Sequence, residues 1–253
     1  SGTNFSKTWG GCSSLTTFRS DYDFSSATDL SNAWANSGLT SFPAYSFPEA
    51  TTLRQSWRNC PLTAMSLITM PKCTSLNSTW QGCENMVTMP AIDISNVIYF
   101  STTWSNCLVL ENFGPDDFSS ATAFVQTWFA CKKLTTIPAI DTANNCTSYK
   151  QAFNTCNLLA DVPSGVFDTT GTLTSDAFQS TFRNCALTAA SVENILVSLD
   201  TNGASNITLG LDGGTTAAKS TWTAAAITAF NNLAGDPAVP GDTGKGWTIE
   251  FNA

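Results

Sequence analysis

The sequence predicts an α/β solenoid, a fold in which one short structural unit stacks repeatedly on itself. Three observations predict it: a recurring phrase, a nearly constant spacing between its copies, and strand-like and helix-like patterns that follow each other inside each copy. The phrase is clearest in "TWGGCSSLTTF" at 8–18, "TWQGCENMVTMPAID" at 79–93 and "TWFACKKLTTIPAID" at 127–141. Self-similarity at such a period is the signature of repeat architectures.

Eight copies align on an aromatic anchor that is followed three positions later by cysteine, with Ser37 as the exception. Successive anchors lie 25, 23, 23, 24, 24, 25 and 29 residues apart. Because equivalent residues of stacked copies fall in columns, the anchors and cysteines are predicted to form a structural core ladder. Its members are Trp9, Trp34, Trp57, Trp80, Trp104, Trp128, Phe153 and Phe182, with Cys12, Cys60, Cys83, Cys107, Cys131, Cys156 and Cys185.

Each copy divides into a strand-like and a helix-like part. After the cysteine, a Thr-rich segment with apolar ends, often closed by proline, favours one short parallel strand. An Asp or Ser/Thr stretch such as "DFSSATAF" then gives a helix N-cap signal. Ala121, Phe124, Trp128 and Cys131 follow at i, i+3, i+7 and i+10, which is one face of a helix. Each coil is therefore predicted to contain one short strand and one short helix.

The pattern F/W-x-x-C-x-x-L-T-x-h-P, where h is apolar, resembles BspA-type leucine-rich repeats and the related repeats of about 26 residues in bacterial surface proteins. The resemblance covers residues 1–188, and the C-terminal segment is similar to the tails of phage-encoded repeat proteins. It implies a right-handed leucine-rich-repeat superhelix of about eight coils of 23–25 residues. It also implies an extracellular protein of a cell surface or virion, such as an adhesin or a phage tail fibre.

Two regions are predicted along the chain. Residues 1–9 match residues 120–128 in phase, so residues 1–188 are expected to form a solenoid that starts in mid-repeat without a cap. Residues 189–253 break the period and are predicted to be an α+β C-terminal cap, which a solenoid needs to cover its last coil. The cap is expected to hold a helix with Ser191 at its N-cap, a strand in "NITLGL", a helix ending at Gly235 and a strand in "GWTIEF".

Composition excludes several functions. A net charge of −8 argues against nucleic acid and anionic membranes as partners, and no apolar run is long enough for membrane insertion. The absence of histidine removes Ser-His-Asp and Cys-His catalysis and His-ligated zinc. The five glutamates are scattered, which disfavours a carboxylate pair. The chain is therefore predicted not to be an enzyme.

The best candidate binding surface is the outward face of the predicted strands, which is small, neutral and rich in hydroxyls. Such a face suits a glycan, another protein or an ice plane. Glu111 and Asn112 interrupt its hydroxyl pattern. The predicted binding residues are Thr16, Thr17, Thr40, Ser41, Thr63, Thr88, Glu111, Asn112, Thr135 and Thr136.

Three other columns have a structural and a functional interpretation. The anchors are either core residues or a sugar-stacking track, and the cysteines are core residues, disulfide partners of neighbouring coils, or ligands of a metal. Asp93, Asp117 and Asp141 either cap helices or form a Ca²⁺ site, Ca²⁺ being the only cofactor considered. Asn4, Asn77, Asn145 and Asn206 lie in N-x-S/T sequons, which are expected by chance at this composition.

The favoured function is non-enzymatic recognition or adhesion at a cell surface or virion, with a surface protein or glycan as receptor. One alternative is a structural subunit whose copies stack end to end into an extracellular filament. A carboxylate-dependent polysaccharide-degrading enzyme is the third hypothesis.

Overall fold

The structure, a computed structural model, describes residues 2–138, 140 and 143–252. Successive copies of the repeat, numbered 1 to 8 by their anchors, lie in parallel beside one another. Parallel bridges join equivalent residues of the first six copies, and the rings of neighbouring anchors lie 5.1–5.7 Å apart. Each interior copy therefore contacts the copy before it and the copy after it. The bridged residues are Asn4, Asp29, Thr52, Ser75, Tyr99 and Ala123.

The strands of the repeat region are two residues long. Three parallel pairs form: β1 with β3, β2 with β4, and β5 with β6. Elsewhere the copies are joined by single bridges, such as the bridge between Thr136 and Asp161. The strands are β1 (Ser41–Phe42), β2 (Tyr45–Ser46), β3 (Ala64–Met65), β4 (Ile68–Thr69), β5 (Thr88–Met89) and β6 (Asn112–Phe113).

The short helix predicted in each copy is wrong: the segment around each anchor is a run of turns. The residues two before and two after every anchor have φ between 53° and 76°, the left-handed region. A right-handed helix cannot contain two such residues only four positions apart. Around Trp34, for example, Asn32 has φ 57° and Asn36 has φ 56°.

The hydrogen bonds of this turn segment explain why a helix does not form. Ala33 and Ala35 donate their N–H groups to carbonyls three residues back, at 3.1 and 3.2 Å. Asn32, Trp34 and Asn36 instead donate to carbonyls of the next copy, at 2.7–2.9 Å. Alternate N–H groups thus hold the turn and join the copies, whereas a helix would use all of them within itself.

A column of buried hydroxyls, which the sequence analysis missed, also joins the copies. The residue just before most anchors is Ser or Thr, and its hydroxyl donates to the carbonyl four residues before the preceding anchor, at 2.8–2.9 Å. These side chains are fully buried, so the bonds satisfy polar groups that would otherwise be costly in the core. They are Ser56, Thr79, Thr103, Thr127 and Thr181.

The core is one continuous cluster whose centre is the anchor column. The anchor rings stack with interplanar angles of 3–14°, and the seven anchors from Trp34 to Phe182 are completely buried. Copy 1 departs from the predicted core ladder, because Trp9 is only half-buried and Cys12 is exposed. Within the described residues copy 1 is covered from one side, by copy 2.

The C-terminal region packs two helices and a parallel strand pair onto copy 8. Helix α1 (Ala189–Asn202) contacts α2 (Ala224–Ala234), which is preceded by a 3₁₀ turn at Lys219–Thr221 and ends at Gly235. Strand β7 (Thr208–Gly210) pairs with β8 (Thr248–Glu250). The N-cap of α1 is Thr188 and not Ser191, because Thr188 Oγ1 accepts from the Ser191 N–H at 3.2 Å. Ser191 instead lies buried in the first turn.

The inter-copy hydrogen bonds continue into this region. Phe182 and Asn184 donate to the carbonyls of Gly210 and Asp212 at 3.0 and 2.9 Å, as earlier anchor segments do to the next copy. Leu211 in turn donates to the Glu250 carbonyl at 2.8 Å. Residues 208–215 therefore form a further layer, and the segment around β8 lies over it.

Candidate recognition surface

The predicted strand face is exposed along the whole stack. Two adjacent residues point outward before one points inward: Thr40 and Ser41 are exposed and Phe42 is buried. The reason is that neighbouring strands pair over only two residues, so the chain turns before the side chains can alternate as they do along a longer strand. The exposed residues are Thr16, Thr17, Thr40, Ser41, Thr63, Thr88, Glu111, Asn112, Thr135 and Thr136.

Hydroxyls of this face are held by the backbone of the preceding copy. Thr63 Oγ1 donates to the Thr40 carbonyl at 3.1 Å, and Thr40 Oγ1 donates to the Thr16 carbonyl at 3.4 Å. The threonine side chains are thereby oriented, with their oxygen lone pairs left for an external donor. The face can bind a partner through methyl groups and hydrogen-bond acceptors.

A small cleft interrupts this face between copies 5 and 6. It has a volume of about 200 Å³, and Glu111, Asp116 and Thr136 line it together with Phe113. Both carboxylates are exposed to solvent. The cleft is the place in the described chain where the polysaccharide-hydrolase hypothesis can be examined.

The anchor column is not a sugar-stacking track, because seven of its rings are fully buried. Trp80 Nε1 donates to Met65 Sδ at 3.1 Å, whereas the indole N–H groups of Trp34, Trp57, Trp104 and Trp128 have no conventional acceptor. Their ring faces are covered by neighbouring anchors, so other rings meet their edges.

Phenylalanine rings lie against these edges. The ring centroid of Phe42 lies 4.8 Å from those of both Trp34 and Trp57, at steep interplanar angles. The centroid of Phe113 lies 4.7 Å from that of Trp104, with an interplanar angle of 88°. The positive edge of an indole is attracted to the negative face of such a ring. Such edge-to-face contacts stabilise the anchor column.

The cysteine column is built into the core through hydrogen bonds. From Cys60 to Cys185, each thiol of the column donates to the carbonyl of the preceding anchor, at 3.0–3.3 Å. Burial raises the pKa of Cys107 and Cys156 to about 12 and that of Cys73 and Cys146 to about 11. All nine cysteines are free thiols. Buried, protonated thiols are poor nucleophiles and poor metal ligands.

The aspartates of the candidate Ca²⁺ site act locally instead of converging. Asp93 and Asp117 each accept from the backbone N–H two residues later, at 3.0 and 2.9 Å, so they cap turns and not the predicted helices. Asp141 lies outside the described residues. Among the residues that the structure describes, no group of three or more His, Cys, Asp or Glu side chains could hold a metal ion.

In comparisons with protein-family models, curated proteins and solved structures, nothing matches this chain. Within the described residues, no helix has both the length and the apolar character needed to cross a membrane.

Proposed function

We propose that the chain is a non-enzymatic recognition module of a cell surface or virion. It is built on a leucine-rich-repeat solenoid of the BspA type over residues 1–188 and closed by a C-terminal cap over residues 189–253. The supporting observation is that the strand face is exposed in copy after copy, while the thiols, apart from Cys12, are buried in the core. Solenoids commonly bind partners through such extended faces.

The carboxylates do not favour the enzyme alternative. General acid–base hydrolysis needs a pair in which one carboxyl has a raised pKa. Glu111 and Asp116 both lie on an open surface, whereas such a pair acts in a site that excludes water. In a surface-binding role these two carboxylates need only be polar and exposed.

The hydrogen-bond pattern of the turn segments does not favour the filament alternative. In the turn segments each copy donates N–H groups to the following copy, so copy 1 offers only carbonyls on its outer side there. At the other end, the N–H groups of Leu211 and Gly213 are already bonded to the Glu250 carbonyl and Asn252 Oδ1. Among the described residues, these two donors are therefore already bonded, which does not favour filament growth by the same hydrogen-bond pattern.

A binding screen with surface variants tests this function. The purified chain is applied to arrays of cell-surface glycans and extracellular proteins, and hits are measured by biolayer interferometry. The double variant Thr63→Lys/Thr88→Lys on the strand face is expected to weaken binding about tenfold or more, because it adds charge and bulk at the interface. Thr228→Lys, on the exposed side of α2, is the matched control and leaves binding unchanged. Binding that survives the double variant contradicts the strand face as the recognition surface.

A further inference from the structure

Copies 4 to 7 share a two-residue turn directly after the column cysteine. In each of them the N–H of the next inward residue donates to the cysteine carbonyl at 2.9–3.2 Å, which closes the turn and leaves its two central side chains on the outside. Copy 3 is one residue shorter at this point, so the run of equivalent turns begins at copy 4. We call these four stacked turns the corner ridge; its residues are Glu84 and Asn85, Leu108 and Val109, Lys132 and Lys133, and Asn157 and Leu158.

The charges of the corner ridge lie on opposite sides of copy 5. Glu84 is one copy before the half-buried Leu108 and Val109, and Lys132 and Lys133 are one copy after them. The anchor rings of copies 4 and 6 are each 5.7 Å from the ring of copy 5, so the negative and the positive side are equally far from the apolar centre. Such a surface is complementary to itself when it is turned end for end.

These three charged side chains are exposed and have no ion-pair partner among the described residues, although five ion pairs form elsewhere in that part of the chain. The whole chain carries a charge of −8, so two copies repel each other over most of their surface. The ridge instead carries two positive charges and one negative charge. A second, equally acidic copy is therefore attracted to the ridge more than to the rest of the surface.

The shape of the ridge is complementary in the same sense as its charge. Where copy 3 has the shorter corner, a notch of about 250 Å³ opens beside Pro61 and Gly82. At the other end of the ridge, in copy 7, Leu158 is 46% exposed. The anchor ring of copy 3 is 5.6 Å from that of copy 4, and the ring of copy 7 is 5.1 Å from that of copy 6. The notch and the exposed leucine therefore lie at nearly equal distances on either side of copy 5.

A second copy can pair with the ridge about a two-fold axis in two ways. If the two stacks run in parallel, each copy faces its own equivalent, so Glu84 opposes Glu84 and Lys132 opposes Lys132, and like charges repel. If the stacks run antiparallel about an axis at copy 5, Glu84 of each chain faces Lys132 and Lys133 of the other. The apolar turns of copy 5 then face each other, and Leu158 of each chain faces the notch beside Pro61 of the other. Charge and shape therefore both favour the antiparallel arrangement.

We propose that the corner ridge is a dimer interface, at which two copies of this chain pair antiparallel about a two-fold axis at copy 5. The contact is a narrow strip, so the dimer is expected to be reversible and to depend on protein concentration. The inference goes beyond the proposed recognition function and does not depend on what the strand face binds.

Sedimentation equilibrium of the whole chain over a concentration series tests the dimer. The parent chain is expected to pass from the monomer mass of 26.9 kDa to twice that mass. Glu84→Lys and the double variant Lys132→Glu/Lys133→Glu each place like charges across the axis, so each is expected to raise the dimer Kd at least about tenfold. All three substitutions together in one chain exchange the signs on both sides of each pair, so they are expected to restore the Kd to within about threefold of the parent value.

Two further variants complete the test. Leu158→Ser removes the apolar side chain that faces the notch and is expected to raise the dimer Kd about fivefold or more. The control Lys7→Glu/Arg54→Glu, in the turn segments of copies 1 and 3, changes two exposed cations that have no ion-pair partner among the described residues. It alters the net charge as much as Lys132→Glu/Lys133→Glu does, and its Kd is expected to stay within about threefold of the parent value. Thermal unfolding checks that every variant is folded.

The interface is wrong if the parent chain keeps the monomer mass throughout the series. It is also wrong if the charge-reversed variants dimerise like the parent, or if the combined variant is folded and associates no better than its two components. If the control loses as much affinity as Lys132→Glu/Lys133→Glu, net charge and not the ridge governs association, and the proposal fails. None of these results bears on the recognition function, which the binding screen tests separately.

Discussion

At the scale of single residues, the cysteines act as hydrogen-bond donors within the core. A thiol is small enough to lie between neighbouring copies, and its weak S–H group reaches the carbonyl of the preceding anchor. That carbonyl also accepts the N–H of the cysteine in its own copy, as in the 3.1 Å bond from Cys60 to Trp57. Each such cysteine therefore joins the end of one turn to the copy before it.

Replacing one of these cysteines tests this role. Cys107→Ala removes a buried sulfur atom and its bond to the Trp80 carbonyl, so we expect the free energy of unfolding to fall by about 1–2 kcal/mol. The measurement is urea denaturation followed by circular dichroism. The matched control is Cys12→Ala in copy 1, where the thiol is exposed and the expected change is close to zero. Equal losses in the two variants would contradict the hydrogen-bonded role.

The buried thiols also predict how stability depends on pH. Their pKa lies above the ordinary value of 9.0, at about 12 for Cys107 and Cys156, because burial disfavours the thiolate. The unfolded chain loses these protons first, so the stabilisation is complete below pH 9 and is lost as pH rises towards 12. We expect the melting temperature to fall over this range, and to fall less steeply in Cys107→Ala. Calorimetric scans between pH 7 and pH 11 measure this dependence. If the melting temperature falls equally steeply with pH in the parent chain and in Cys107→Ala, the prediction is wrong.

At the scale of the element, the unit of this fold is a turn segment with two left-handed residues. Gln55 has φ 59° and makes the inter-copy bond to the Asn77 carbonyl at 3.0 Å. Gln55→Val places a β-branched side chain at a positive φ, so we expect a loss of about 1–2 kcal/mol in the free energy of unfolding, whereas Gln55→Asn should be tolerated. Gln81→Val is the matched control, because Gln81 lies one residue after its anchor and outside the positive-φ set. Urea denaturation of the three variants gives their free energies of unfolding. An equal loss of stability in Gln55→Val and Gln81→Val would contradict the role of the positive φ.

The columns of the repeat could be predicted from spacing, but the conformation of the turn segment could not. Apolar residues at i, i+3 and i+7 define one face of a helix, and they equally fit turns whose inward residues recur every three or four positions. What separates the two conformations is the direction of alternate N–H groups, which depends on the neighbouring copy and not on the local sequence. The one local signal is the residue two positions after the anchor. In the first five copies it is Gly or Asn, residue types that tolerate positive φ: Gly11, Asn36, Asn59, Gly82 and Asn106.

The candidate surfaces were predictable to different degrees. The strand face could be located from its threonines, because an exposed column must repeat with the copies. The cleft between copies 5 and 6 could not, because Glu111 and Thr136 follow different anchors and come together only when the copies stack. The sequence pattern shows only that these residues point outward together once the stack is known.

At the scale of the whole molecule, contacts are made between neighbours along one axis, so stability is expected to vary along that axis. Trp9 and Trp104 make the same bond, from the anchor N–H to a carbonyl of the next copy, at 2.7 and 2.9 Å. Copy 1 is covered on one side among the described residues and copy 5 on both. We therefore expect the Trp9 amide to exchange with deuterium at least about tenfold faster than the Trp104 amide. Exchange measured by NMR at pH 7 checks this, and equal rates would show that the molecule opens only as a whole.

The alternating donors of the turn segment give the molecule a polarity. In the turn segments every copy presents N–H groups to its successor and carbonyls to its predecessor, whereas the segment about six residues before each anchor donates in the opposite direction. A copy can be duplicated, deleted or exchanged without redesign of its neighbours, because each joint has the same two sides. A copy that is turned over cannot join in this way, because the N–H groups of its turn segment would face the N–H groups of its neighbour. The number of copies can thus change during evolution while their orientation stays fixed.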